Sequence, residues 1–270
     1  MGDFVYVVAL ILAGVLGLCV GSFLNVVIYR LPNGMNIAKP ASHCPKCKKE
    51  IKWYDNIPVL SYIILGGKCR NCKTHISFRY TLVELLNAIL WVSSVALFWP
   101  DGLYPGGNIA YAILACIVCS VLVCMFFIDL EHMIIPDSLQ LILLGCAIGM
   151  IFCDWDYDNT WLVKLFGLFT CAGFFFIIHY ASLVLFKKEA LGGGDVKLFS
   201  ILGLLLGFTN AILTIIIACI SASIVLLSVR NAKNHKKNKE YPFAPFIVIG
   251  AIISLFFGYY IVQGYLELIA

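Results

Sequence analysis

Charge is scarce in this sequence. Of its 270 residues, 13% are Asp, Glu, Lys or Arg, which is about half the share found in an ordinary soluble domain. This scarcity excludes a disordered chain, a nucleic-acid-binding domain and a standard soluble enzyme. Apolar residues take the place of charge, because 61% of the residues are hydrophobic and the mean hydropathy is +0.95. The composition predicts an all-α polytopic membrane protein.

Three familiar patterns are also missing. No Gly-Lys-Ser or Gly-Lys-Thr follows the three glycines at residues 192–194, so a phosphate-binding loop is not indicated. No Gly-x-Gly-x-x-Gly dinucleotide fingerprint is present, and no internal repeat is evident. The lack of a repeat argues against a transporter built from two inverted halves.

Long apolar runs dominate the chain, and about 20 apolar residues are enough to cross the hydrocarbon core of a bilayer. They predict eight membrane helices, at residues 4–29, 82–99, 108–128, 138–153, 161–186, 197–208, 211–229 and 244–266. As an alternative, the shortest of these helices, 197–208, fuses with 211–229 as a tight pair that turns at Thr209-Asn210. We divide the chain into a first membrane helix (1–29), a polar loop (30–80) and a larger membrane domain (81–270).

Basic residues are concentrated in three loops. Eighteen of the 19 Lys and Arg residues lie in residues 30–80, 187–197 and 230–243, and Lys164 is the exception. Loops rich in Lys and Arg stay on the cytoplasmic side of a membrane. We therefore expect these three loops in the cytoplasm and both ends of the chain outside, with lipid bilayer around the helices and no nucleic acid among the partners.

Four cysteines stand out in the polar loop. Cys44 and Cys47 form one C-x-x-C pair, and Cys69 and Cys72 form a second, with 21 residues between the pairs. This spacing is typical of a tetrahedral zinc site with four thiolate ligands. Disulfides and free thiols are the alternatives, although a cytoplasmic loop disfavours disulfides. A four-thiolate site has no open coordination position, so the zinc would be structural and would fold a small cytoplasmic domain.

Two aspartates lie at the edges of apolar helices. Asp129 ends one long apolar run, and Asp195 follows the glycines at 192–194 and begins another. Charge in or beside a membrane span is costly and therefore points to function. Two close carboxylates share one proton, so one can activate water while the other protonates a leaving group. From these residues alone three interpretations stay open, namely a catalytic pair, a pair with a structural role and an ion- or proton-coupled transport site.

The sequence resembles the bacterial type IV prepilin peptidases, which are bifunctional leader peptidase/N-methyltransferases of the GxGD aspartic protease class. Six stretches in the same order carry the resemblance: residues 21–32, the paired cysteines with residues 53–62 between them, and residues 79–84, 129–137, 192–197 and 242–246. The resemblance implies that Asp129 and Asp195 are the two catalytic aspartates.

The same resemblance implies the reaction. An enzyme of the bacterial inner membrane cleaves the basic leader of a prepilin or pseudopilin after a glycine on the cytoplasmic side. It then methylates the new N-terminus with S-adenosylmethionine, and the four-cysteine loop is the expected methyltransferase region. Gly67, Asn25 and Glu84 are the candidate methyl-donor residues. The alternatives are an ion-coupled transporter that uses the Asp129/Asp195 pair, a zinc-stabilised assembly platform and a presenilin-like protease.

Overall fold

The computed structural model describes residues 2–100, 102–103, 107–153, 161–187, 192–230 and 241–269. Within these residues the regular structure is helical, and the only β-pairing is two isolated bridges in the polar loop. The helices are α1 (Gly2–Arg30), α2 (Leu60–Ile64), α3 (Arg79–Phe98), α4 (Ile109–His132), α5 (Asp137–Cys153), α6 (Trp161–Phe186), α7 (Gly193–Arg230) and α8 (Ala244–Ile269). A short 3-10 helix at Trp53–Asn56 precedes α2. The all-α class is confirmed.

Six of the described helices, α1, α3, α4, α6, α7 and α8, are long and apolar enough to cross a membrane. The multi-pass prediction is therefore confirmed, and six helices among the described residues meet this criterion where the sequence predicted eight spans. With 17 residues, α5 is shorter than a typical span of ~20 residues but lies within the range of ~17–25. The predicted helices 197–208 and 211–229 correspond to the two parts of α7, which meet at a kink.

The two helices of the predicted pair meet slightly before Thr209-Asn210, because both of these residues are helical. The break in α7 lies instead at Gly207, whose φ of 75° and ψ of 171° are non-helical. A positive φ is readily adopted by glycine, which has no Cβ atom to clash with the backbone. An apolar run that crosses such a glycine therefore looks continuous in hydropathy although its backbone is kinked.

The chain forms two compact units, Met1–Cys124 and Met125–Ala270. In the first unit α1 packs closely on α3. A Cβ atom on Gly17 would lie 2.8 Å from the Cα atom of Ala88, and one on Gly21 would lie 2.7 Å from the Cα atom of Glu84. Glycines four residues apart thus let the two helix backbones approach, as is common in membrane helix pairs.

Hydrogen bonds between side chains link α1, α3 and α4 within this first unit. Asn87 Nδ2 donates to the Gly17 carbonyl over 2.8 Å, and Asn87 Oδ1 accepts from Ser120 Oγ over 2.8 Å. Trp91 Nε1 donates to Ser120 Oγ, also over 2.8 Å. A polar group in a membrane span needs an internal partner, so this chain of bonds satisfies the buried polar atoms and ties the three helices together.

The second unit is also held by close helix contacts. A Cβ atom on Gly203 in α7 would lie 2.5 Å from the carbonyl oxygen of Gly167 in α6, and one on Gly250 in α8 would lie 2.6 Å from the carbonyl oxygen of Thr214. The rings of Phe175 and Phe199 stack with their centroids 4.0 Å apart. These contacts place the start of α7 beside α6 and set the position of Asp195.

Candidate active site and metal centre

The four loop cysteines come together as the spacing predicts. The Sγ atoms of Cys44, Cys47, Cys69 and Cys72 all lie within 4.8 Å of one another, and those of Cys44 and Cys72 are 3.8 Å apart. Four thiolates ~2.3 Å from a tetrahedral zinc ion would have Sγ–Sγ separations of about 3.8 Å. The donor set therefore fits a four-coordinate metal.

Both cysteine pairs adopt the same backbone conformation. In the first pair Lys48 has a φ of 58°, and its N–H donates to the Cys44 carbonyl over 2.9 Å. In the second pair Lys73 has a φ of 57°, and its N–H donates to the Cys69 carbonyl over 2.9 Å. One tight turn thus presents both sulfurs of each pair in the same direction.

The two cysteine turns are closed by equivalent bridges, His43 with Glu50 and Lys68 with His75. The expectation that the chain has no internal repeat is therefore wrong at this local scale. Residues 42–51 and 67–76 share both cysteines, the lysine after the second cysteine and a closing isoleucine. A comparison over ten residues would have found the repeat, whereas a search for long repeats does not.

The thiols influence one another electrostatically. Hydrogen bonds from the backbone of Cys47 lower the pKa of Cys44 to about 6, and those from the backbone of Cys72 lower the pKa of Cys69. The pKa of Cys72 rises to about 11, because desolvation and the other three thiols outweigh the N–H of Thr74, which acts to lower it. Four thiolates cannot form so close together unless a cation compensates their charge, and a divalent metal supplies that charge.

An ion pair joins the second cysteine turn to the 3-10 helix. The guanidinium of Arg70 donates to both carboxylate oxygens of Asp55, with distances of 2.6 and 2.8 Å for the shortest bonds, and it also lies 5.5 Å from the centroid of the Tyr54 ring. These bonds hold the pKa of Asp55 below its usual value. The segment at Trp53–Asn56 is thus fixed beside the metal ligands.

Glu84 is buried on α3, with 8% of its surface exposed. Its Oε2 accepts the N–H of Val59 over 2.8 Å, and the hydroxyl of Ser22 on α1 is a further partner of the carboxylate. Val59 has a φ of 60°, which is unusual for a β-branched residue and needs support from its surroundings. Glu84 therefore anchors the loop at Val59 to the membrane helices.

Asn25 and Gly67, the other two candidate methyl-donor residues, have different neighbours. Asn25 Nδ2 donates to the Tyr80 carbonyl over 3.0 Å, while its Oδ1 is buried without a hydrogen-bond partner. Gly67 has a φ of 66°, and a Cβ atom there would lie 2.9 Å from the Tyr62 hydroxyl oxygen. Glycine is thus required at residue 67 by the fold, and a methyl-donor role for either residue remains a prediction.

Asp129 lies in the last turn of α4, with 5% of its surface exposed. Its Oδ2 accepts the N–H of Ala244 over 3.1 Å. Ala244 is the first residue of α8, where the free N–H groups of a helix attract negative charge. The sequence alone gives residues 242–246 no specific role, because nothing local connects them to Asp129.

Asp195 lies in the first turn of α7, within the same compact unit as Asp129. The backbone N–H of Gly192 is directed at its carboxylate, and the carboxylates of Asp195 and Asp129 are close enough to repel each other. The structure therefore brings the two aspartates together, each beside the N-terminal end of a helix. Such an arrangement can hold one carboxylate charged and the other protonated.

The segments that carry the aspartates contact each other. A Cβ atom on Gly194 would lie 3.3 Å from the Cβ atom of Ile135, and the Gly194 carbonyl accepts from Gln140 Nε2 over 3.3 Å. Any side chain at residue 194 would thus press on the segment that follows Asp129. An exposed ion pair between Lys197 and Asp137, 2.7 Å long, lies at the surface, where such pairs contribute ~1 kcal/mol or less.

Two family models match different parts of the chain. Residues 15–98 match the family described as the Bacterial Peptidase A24 N-terminal domain, and residues 116–227 match the Type IV leader peptidase family. No solved structure matches the chain.

Several relatives named Prepilin leader peptidase/N-methyltransferase match nearly the whole chain. The one from Burkholderia pseudomallei (strain 1026b) is 34% identical over 93% of this chain and 86% of its own length. The one from Legionella pneumophila is 30% identical over 95% of this chain and 94% of its own length. The one from Pseudomonas aeruginosa is 34% identical over 93% of this chain and 91% of its own length.

Proposed function

Because the chain belongs to the type IV leader peptidase family, we propose that it removes the leader of type IV prepilins and pseudopilins and methylates the new N-terminal amine. Membership confirms the resemblance carried by the sequence motifs. The names of its relatives combine both activities. A leader peptidase family also favours proteolysis over an ion-coupled transporter that would use Asp129 and Asp195.

The proximity of Asp129 and Asp195 carries the peptidase proposal. Because their charges repel, the pair is relieved when it holds one shared proton. The ionised carboxylate takes a proton from water, whose oxygen then attacks the scissile carbonyl carbon. The protonated carboxyl donates to the carbonyl oxygen, and the amide nitrogen leaves as an amine after it accepts a proton. Water is thus split between the two products.

Ala244 contributes a fixed hydrogen bond to this chemistry. Its N–H holds one oxygen of Asp129 at the N-terminal end of α8, which leaves the other oxygen for water or substrate. Preorganised donors of this kind need no rearrangement during the reaction. The glycines at residues 192–194 leave room for an extended substrate backbone to approach Asp195, since they carry no side chains.

The substrate is a membrane protein with a short basic leader, a glycine at the cleavage site and an apolar helix after it. Asp129 and Asp195 both lie at the ends of membrane-spanning helices, so the site lies at the membrane boundary. An apolar helix of the substrate that remains in the bilayer would present its leader junction at the same depth. We assign cleavage to the position directly after the glycine.

The methyl group comes from S-adenosylmethionine, which supplies it on a positively charged sulfonium when bound. The lone pair of the new amine forms the N–C bond as the S–C bond breaks, S-adenosylhomocysteine leaves, and the amine releases a proton to water. We assign this activity to the loop at residues 30–80 together with the first helix (1–29), and proteolysis to residues 81–270. Zinc held by the four cysteines would stabilise the loop, which is too small for an extensive apolar core.

We propose that the protein lies in the bacterial inner membrane with the zinc loop and active site facing the cytoplasm. The support is the distribution of charge, since eighteen of the 19 Lys and Arg residues lie in the loops assigned to the cytoplasm. The positive-inside rule orients helices by this asymmetry. Prepilin substrates would then meet both activities on one side of the bilayer.

A cleavage assay tests the peptidase proposal. The protein in lipid nanodiscs is mixed with a peptide that contains a basic leader, Gly-Phe and an apolar helix, and the products are identified by mass spectrometry with and without S-adenosylmethionine. The wild type should cut after the glycine and add one methylene mass only when the methyl donor is present. Asp129→Asn and Asp195→Asn should each abolish cleavage.

Asp137→Asn is the matched control, because it removes a nearby carboxylate that forms only an exposed ion pair with Lys197. This variant should cleave at the wild-type rate. Cleavage that persists in both Asp129→Asn and Asp195→Asn would contradict the aspartic mechanism. Cleavage without any mass gain would contradict the methyltransferase half of the proposal and leave the peptidase half intact.

A further inference from the structure

A cavity of about 470 Å³ lies in the first compact unit, beside the C-terminal end of α1. Pockets that bind drug-sized ligands have volumes of ~300–1,000 Å³. One face of α1 forms one wall, and the loop forms the opposite wall. The residues used in the argument are Ser22, Phe23, Arg30, Ala38, Ser42 and Asn56.

Arg30 is a rigid, buried cation in the wall of this cavity, with 7% of its surface exposed. Its Nη1 donates to the carbonyls of Asn36 and Ile37 over 3.1 and 3.2 Å, and its Nη2 donates to the carbonyl of Pro40 over 2.7 Å. Three neutral carbonyls fix the guanidinium but leave its positive charge uncompensated. No carboxylate among the residues that the structure describes pairs with it.

Two of the five N–H groups of Arg30 remain available, one on Nε and one on Nη2. Nε and Nη2 share one edge of the guanidinium, and together they can form a fork that matches the two oxygens of a carboxylate. A buried charge without a counterion is costly, so the fork indicates an anionic ligand. The other wall groups, an aromatic ring and several hydroxyl and amide groups, suit an uncharged aromatic and sugar portion.

We propose that this cavity binds S-adenosylmethionine, with its carboxylate on the Nε/Nη2 fork of Arg30. The inference rests on the proposed methyltransferase function and deepens it by assigning the site. The ring of Phe23, which is 53% exposed, lies available for stacking with adenine. Ser22, Ser42 and Asn56 supply polar groups for the ribose and the adenine edge.

The position of the cavity fits this ligand. Arg30 is the last residue of a membrane span, so the cavity opens at the boundary between the bilayer and the loop. The new N-terminus of a cleaved substrate begins an apolar helix and therefore lies at this boundary as well. A methyl donor bound here can face that amine.

Binding measurements with two ligands test the role of Arg30. S-adenosylmethionine and its decarboxylated analogue are titrated by isothermal calorimetry against the protein in nanodiscs of uncharged lipid. The wild type should bind the intact ligand about 10- to 100-fold more tightly, since a paired charge contributes an effect of this size. In Arg30→Gln that preference should disappear, because both ligands then lack the ionic contact.

A second variant tests the cavity without touching the arginine. Ala38→Trp places a large ring in the cavity, whereas Met35→Trp places the same ring on an exposed loop residue that does not line it. Ala38→Trp should weaken binding of both ligands at least tenfold, and Met35→Trp should bind as the wild type does. Circular dichroism and gel filtration establish that each variant is folded.

The outcomes separate this inference from the proposed function. If the wild type methylates peptide but Ala38→Trp binds S-adenosylmethionine normally, the cavity assignment is overturned while the methyltransferase proposal stands. Equal binding of the two ligands by the wild type overturns the role of Arg30. If the wild type neither methylates nor binds, the methyltransferase proposal itself fails. Affinity that falls only when anionic phospholipid is added would show that a lipid phosphate competes for the fork.

Discussion

The backbone N–H of Ala244 donates a hydrogen bond to Asp129 Oδ2 over 3.1 Å, although 115 residues separate the two in the chain. This bond joins the end of α4 to the beginning of α8. It fixes the direction of one candidate catalytic carboxylate while the neighbouring Asp195 approaches from the start of α7. Within residues 242–246, Ala244 therefore helps to orient the carboxylate of Asp129 in the proposed site.

Removal of this donor should impair cleavage selectively. Ala244→Pro deletes the N–H at the first turn of α8, where proline is otherwise well tolerated. We expect a loss of about a hundredfold in the cleavage rate, because a small displacement of a catalytic group has an effect of this order. Peptide cleavage is followed by mass spectrometry. Methylation of a pre-cleaved peptide by the same variant is the control, and its loss would instead indicate general misfolding.

The cysteine cluster should contain about one zinc ion per chain, as four thiolate ligands are typical of a single structural site. Cys44→Ser and Cys72→Ser should each lower the zinc content, measured by mass spectrometry of the metal, and expose the loop to protease. Cys219→Ser is the control, because it changes an exposed cysteine on a membrane helix that is far in sequence from the loop. It should leave the zinc content unchanged. Unchanged zinc in both ligand variants would contradict the metal site.

The ion pair between Arg70 and Asp55 should hold the segment at Trp53–Asn56 against the second cysteine turn. Arg70→Gln should accelerate hydrogen exchange in that segment while zinc remains bound. The pKa of Asp55 is lowered in the folded protein. The ion pair therefore stabilises the fold fully above the ordinary pKa of about 3.9, and this stabilisation is lost only as the pH falls through the lower pKa of the folded state. In the wild type, the protection of this segment against hydrogen exchange, corrected for the intrinsic effect of pH on exchange, should stay constant between about pH 5 and 8.

Close packing of α1 on α3 makes Gly21 sensitive to a single methyl group. A Cβ atom there would lie 2.7 Å from the Cα atom of Glu84, so the helices must separate, and we expect Gly21→Ala to destabilise the protein by about 1–3 kcal/mol. Gly145→Ala is the matched control, because a Cβ atom at Gly145 meets nothing within 4 Å. Thermal unfolding in detergent compares the two. Equal midpoints would contradict the close approach.

Much of the architecture could be predicted from hydropathy and spacing. Most long apolar runs became helices because the bilayer leaves a backbone few other ways to satisfy its hydrogen bonds. The two C-x-x-C pairs predicted a cluster, because a short turn directs two sulfurs to one point. Hydropathy could not locate the break in α7, since Gly207 is as compatible with an apolar run as any other small residue, and its backbone angles alone make it a kink.

The sequence by itself determined the candidate residues for catalysis and metal binding, because an aspartate at the end of an apolar helix and paired cysteines in a basic loop are typical of functional sites. Tertiary structure decided which of them meet. Asp129 acquires Asp195 as a neighbour and Ala244 as a donor through helix packing, and Arg30 becomes a buried cation only when residues 36–40 fold over it. Such partners are separated along the chain, and local patterns contain no information about contacts that only packing creates.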